Sequence, residues 1–62
     1  MKRWKQGKLY ELSKRLYFDN VSYDKGSLVV YIEEDSRISS CHWVLLPNGR
    51  KWSIWSGHMV KT

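Results

Sequence analysis

The stretch HWVLLPNGRKWSIWSG, residues 42–57, constrains the fold more than any other, because two alternating apolar runs meet at Pro47-Asn48-Gly49. Proline presets the first turn position, asparagine accepts the second, and glycine alone takes positive φ without penalty. That order predicts a three-residue hairpin loop, a type I turn followed by a left-handed glycine. In this register Leu46 faces Arg50, Val44 faces Trp52 and His42 faces Ile54 on one side. Leu45 with Lys51, Trp43 with Ser53 and Cys41 with Trp55 then lie on the other. A two-residue loop at Asn48-Gly49 would move the register by one and exchange every partner, so the three-residue loop is preferred here on the position of the proline.

Asp24-Lys25-Gly26 has the same form and predicts a second hairpin. It would pair Ser22 with Leu28, Asn20 with Val30 and Phe18 with Ile32, leaving Val21, Tyr23, Ser27, Val29 and Tyr31 on the reverse face. Upstream, KLYELSKRLY at residues 8–17 places Leu9, Leu12, Leu16 and both tyrosines on one helical arc, opposite Lys8, Glu11, Lys14 and Arg15. Asp19-Asn20 would stop that helix. The expected fold class is therefore α+β: one N-terminal helix packed on a mostly antiparallel sheet of about four strands in two hairpins, with a tendency to curl toward a small barrel. The helix would cover an aliphatic face made of Leu28, Val30, Ile32, Val44, Leu46 and Ile54. Glu33-Glu34-Asp35-Ser36 reads as an exposed link between the hairpins, and residues 57–62 as either an edge strand or a frayed end.

Sixty-two residues suffice for one domain, expected to span 1–62 with residues 1–7 as a mobile basic arm. A chain this short buries only a modest core, and Cys41, the sole cysteine, cannot form an intrachain bridge. A lone thiol suits a reducing compartment, and there is neither an apolar span nor a signal-peptide run after Met1-Lys2-Arg3, so a cytoplasmic location off the membrane is expected.

The net charge of +5 is unevenly distributed. Lys2, Arg3, Lys5, Lys8, Lys14 and Arg15 dominate the first third, Asp19, Asp24, Glu33, Glu34 and Asp35 the middle, and Arg37, Arg50, Lys51 and Lys61 the end. Basic flanks around an acidic centre suit a polyanionic partner or internal pairing. Catalytic chemistry has little to work with. Cys41 and His42 are strand neighbours that point to opposite faces, the three possible metal ligands Cys41, His42 and His58 lack close spacing, and no glycine-rich phosphate loop is present. The chain is thus expected not to be an enzyme, with no metal or cofactor. A remote reading is a ribonuclease using His42 or His58 beside Arg50 or Lys51.

Aromatic rings interleaved with cations carry more weight. Single strands are held by rings that stack on bases while Lys and Arg track the phosphates. Tyr23, Tyr31, Trp43 and Trp55 on the uncovered sheet face, with Arg50 and Lys51 beside them and Lys2, Arg3, Trp4 and Lys5 in the arm, form the expected binding set. This predicts a small regulatory module for single-stranded or structured nucleic acid. The same rings fit two other occupants of that face, a larger protein that the chain inhibits or regulates, and a second copy of the chain in a homodimer.

Overall fold

The computed structural model describes residues 4–61, and the protein they form is built of β-strands. The strands are β1 (Leu9–Leu12), β2 (Leu16–Phe18), β3 (Val21–Tyr23), β4 (Leu28–Glu34), β5 (Cys41–Leu45), β6 (Lys51–Trp55) and β7 (Met59–Lys61), with a single 3₁₀ turn at Ser56–His58. Five form one antiparallel sheet in the order β6-β5-β4-β1-β7, and β2 pairs with β3 in a separate ribbon. The large sheet does not close, so β6 and β7 are its edges.

The α+β expectation is overturned at residues 8–17, which form β1, a turn and β2 rather than a helix. The segment obeys a period of two as well as 3.6: Tyr10, Leu12 and Leu16 are buried, whereas Leu9 is 45% exposed, although the helical arc would have buried it. A ten-residue helix is marginal by itself. As a strand the segment is paired along both edges, with Tyr10 opposite Val29 on β4 and Lys61 on β7. The ladder continues past it, where Leu12 donates its backbone N–H to Ser27 and Ser13 to His58. Pairing on both sides satisfies the backbone groups that a short isolated helix would leave open at its ends. The chain's last residues, left undecided by their composition, supply the outer partner as β7.

Asp19-Asn20 does mark a turn, but of a different kind. Both residues have positive φ, 49° and 64°, between the paired Phe18 and Val21. That is the geometry of a two-residue primed turn, and it joins β2 to β3. The expected pairing of β3 with β4 is therefore replaced by β2 with β3. Gly26 still takes positive φ, and Ser27 donates to the Asp24 carbonyl across a tight turn, but this turn passes the chain from the ribbon to the sheet.

The second hairpin has the expected register throughout, from Cys41 opposite Trp55 to Leu45 opposite Lys51. Leu46 and Arg50 close the loop through the Leu46 N–H to Arg50 carbonyl bond, and Gly49 has φ of 87°. Because a Cβ at Gly49 would meet nothing within 4 Å, any penalty for replacing it comes from the backbone. Gly49→Val is expected to cost more than about 1 kcal/mol, read as a lowered urea midpoint with unchanged slope.

β4 is turned over relative to the sequence reading. Val29 and Tyr31 point inward and are buried, while Leu28 and Val30 lie on the outer side, and Val30 pairs with Leu45. A register shift between Tyr31 and Glu33 then puts Glu33 opposite Trp43 and Glu34 opposite His42. The core gathers Tyr10, Leu12, Leu16, Tyr23, Val29, Tyr31, Val44, Leu46, Ile54 and Met59, with Trp4, Phe18 and Trp52 packed against it. The ribbon closes one end of this core. Phe18 stacks on Trp52 at 5.2 Å, the Asn48 amide donates to the Tyr23 hydroxyl at 2.9 Å, and Arg50 pairs with Asp19. Those contacts take over the covering role that the sequence reading assigned to a helix.

Candidate nucleic-acid interface

The hairpin register places Trp43, Lys51 and Trp55 on the outer face of the sheet, as the alternation requires. Trp43 is half-buried and carries two cations near its ring, the Arg37 guanidinium at 5.6 Å and the Lys51 ammonium at 5.8 Å from the centroid. Both distances lie within cation–π range. Trp55, one diagonal step away across β5 and β6, is 54% exposed.

Arg37 lies outside the set that the sequence predicts, and the residue that holds it sits in the link that the sequence predicts to be exposed. Asp35 is buried. Its carboxylate accepts the Arg37 backbone N–H at 2.9 Å, the Arg37 Nε–H at 3.3 Å and the Ser53 hydroxyl at 2.8 Å. The Arg37 backbone N–H, then its guanidinium, then Ser53 hold the Asp35 carboxyl down to about 2. A carboxylate bonding the N–H two residues on is the usual way Asp builds a turn, and Asp35-Ser36-Arg37 carries that spacing in plain sight. Asp35 thereby links the loop to β6 through Ser53 and holds a guanidinium beside an indole.

Other members of the expected set are elsewhere. Tyr31 and Tyr23 are not on the outer face as expected: both belong to the core, Tyr31 because β4 is turned over and Tyr23 because β3 joins β2. Arg50 is at the far end of the hairpin with Asp19. Trp4 packs against the core, edge-on to Tyr10 at 4.9 Å and parallel to Tyr31 at 6.4 Å, and the following Lys5 backbone N–H donates to the Tyr10 hydroxyl at 2.8 Å. Lys2 and Arg3 lie outside the described residues.

The exposed ring of Trp55 is positioned from below. It sits over Gly57, where an added Cβ would come within 2.2 Å of the indole, and it stands perpendicular to the His58 ring with the centroids 5.3 Å apart. Only a residue without a side chain allows that approach. The 3₁₀ turn carrying Gly57 is pinned in two places. Ser40, with φ of 65°, offers its carbonyl to the Ser56 N–H, and the Ser13 hydroxyl donates to the Gly57 carbonyl.

Behind this edge lies an open cleft of about 740 Å³, lined by Trp4, Glu34, Ser40, His42, Trp55 and Lys61 among others. His42 is buried, and its Nδ1 is 3.0 Å from the Tyr31 hydroxyl. Burial raises the Tyr31 phenol, so a neutral O–H meets the ring. That hydroxyl can donate to Nδ1 or accept from it, and in the tautomer where it donates the imidazole proton sits on Nε2. Among the described residues Nε2 has no hydrogen-bond partner and no buried side-chain nitrogen or oxygen lacks one, so Nε2 keeps access to solvent.

Burial lowers the His42 pKa, against an opposing pull from Glu34, and burial with help from Lys14 lowers that of His58. A histidine with a depressed folded-state pKa binds fewer protons folded than unfolded, so its stabilisation is complete above the unfolded value of 6.5 and is lost as pH falls through the folded one. The urea midpoint is expected to drop between pH 7 and pH 5, and to drop less in His42→Asn.

Among the described residues no group of three or more His, Cys, Asp or Glu side chains gathers as a metal cluster, and no helix is long and apolar enough to cross a membrane. Comparison with protein-family models, with curated proteins and with solved structures found no match.

Proposed function

We propose that this protein is a small binding module for single-stranded nucleic acid, with the outer face of β5 and β6 as its platform and the N-terminal cations as a second contact. The observation that carries the reading is Trp43 with Arg37 and Lys51 on its ring beside an exposed Trp55: aromatic surface for bases and cations for phosphates within one patch. Asp35 strengthens it by keeping Arg37 in place. A chain charge of +5 favours the encounter.

Exposed Leu9, Leu28 and Leu45 favour a second reading, a regulator that docks on another protein through the same sheet. Salt separates the two. Titration with a single-stranded 12-mer at several salt concentrations is expected to give a steep log–log slope, and changing Lys2, Arg3 and Lys5 together to Gln to flatten it by up to about 2, at roughly 0.7 per lost contact. Affinity that ignores salt, or no affinity, would move the assignment to the protein-binding reading.

A further inference from the structure

The cleft behind Trp55 shares that ring with the platform and adds features the platform does not use. Its walls include two indoles, Trp4 and Trp55, and its polar lining includes Glu34 and His42. The bulge in β4 brings these last two directly opposite each other on neighbouring strands, because it moves Glu34 onto the inner side of the sheet. In the tautomer whose Nδ1 accepts from the Tyr31 hydroxyl, the pair offers three hydrogen-bonding positions: the His42 Nε2–H as a donor and the two Glu34 carboxylate oxygens as acceptors. Lys61 also lines the cleft, a cation available to a phosphate.

Donor, acceptor, acceptor is the complement of one base edge. The pairing edge of guanine reads O6 acceptor, N1–H donor, N2–H donor. Uracil and thymine place a carbonyl where the second carboxylate oxygen would be, and adenine and cytosine place a bare ring nitrogen against a carboxylate. Each of these sets two lone pairs against each other, with the cost of an unmatched polar contact. From this the geometry points to a guanine-selective pocket: one unstacked guanine enters between Trp4 and Trp55, with N1–H and N2–H donating to Glu34 and O6 accepting from His42. The inference rests on the single-strand reading above and names its preferred base. Single strands can deliver a base in this way because their bases splay out of the stack.

The test uses the full chain and tryptophan fluorescence, titrated with a thymine 12-mer, the same strand with one central guanine, the same strand with inosine at that place, and free guanosine monophosphate. The expected result is binding about tenfold tighter with guanine than with thymine alone, and a partial gain with inosine, which lacks the N2 amino group. Glu34→Gln, at an exposed position, replaces one acceptor by a donor and removes one negative charge, so it should raise affinity for the thymine strand slightly while reducing the guanine preference, measured on the same variant, to about twofold or less. Equal binding of all strands by the wild-type protein would overturn the pocket and leave the single-strand reading standing. If no strand binds, the single-strand reading fails; saturable quenching by guanosine monophosphate that Glu34→Gln abolishes would then still support the pocket, for a free nucleotide, and its absence would overturn both.

Discussion

Tyr10→Ala is expected to leave the chain largely unfolded at 25 °C, the largest single effect on stability that the structure implies. Tyr10 is fully buried at the centre of the sheet, between β4 and β7, with the Trp4 ring edge-on at 4.9 Å and the Tyr31 ring at 6.2 Å. Removing a buried aromatic ring costs about 3–5 kcal/mol. At about 0.05–0.15 kcal/mol per residue, a domain of this length has only about 3–9 kcal/mol in all, so the loss takes most of its stability. Tyr10→Phe keeps the ring and gives up only the bond from the Lys5 N–H, so about 0.5–1.5 kcal/mol is expected. Leu9→Ala, one residue away but on the outer side, should cost far less, which inverts what a helix over residues 8–17 would require. Urea titrations of the three variants, followed by circular dichroism, measure all of this.

The contrast between Tyr10 and Leu9 shows why the N-terminal third was misread and the C-terminal third was not. In KLYELSKRLY the helical and strand periods bury overlapping sets, and Leu12 and Leu16 satisfy both. What decides is pairing with β4 and β7, some twenty and fifty residues distant, which no local pattern encodes. The hairpin at Pro47-Asn48-Gly49 was legible because its loop chemistry and its alternation are local and agree. β4 lay between these cases. Its alternation was plain, but which face turned inward depended on the strand beside it, and the expected neighbour was wrong.

The candidate site divides along the same line. Trp43, Lys51 and Trp55 share a face because two-residue alternation within one hairpin puts them there. Tyr31 left that face with β4. Arg37 does have a local signal, Asp35 two residues earlier as a turn-forming acceptor, but a run of charges fits solvated surface equally well. The partnership of Glu34 with His42 had no sequence signal: it depends on one bulged residue after Tyr31.

The second large effect is on binding, and it separates a platform from packing. Trp55 is more than half exposed and belongs to no part of the core, so Trp55→Ala should leave the melting temperature nearly unchanged while weakening single-strand affinity by about 1–3 kcal/mol, roughly five- to 150-fold. Trp52, three positions earlier, faces inward and stacks on Phe18, so Trp52→Ala should destabilise by about 3 kcal/mol and affect binding only through folding. Gly57→Ala supplies an independent control. A Cβ there would collide with the indole of Trp55, so the ring must move while every atom of the platform is retained. On the platform reading this variant should lose affinity nearly as far as Trp55→Ala with little loss of stability. Melts of the three variants beside one oligonucleotide titration give the answer. A Trp55→Ala protein that folds normally and binds the strand as tightly as before would remove Trp55 from the interface and leave the exposed leucines of the same sheet, and with them a protein partner, as the better explanation of this surface.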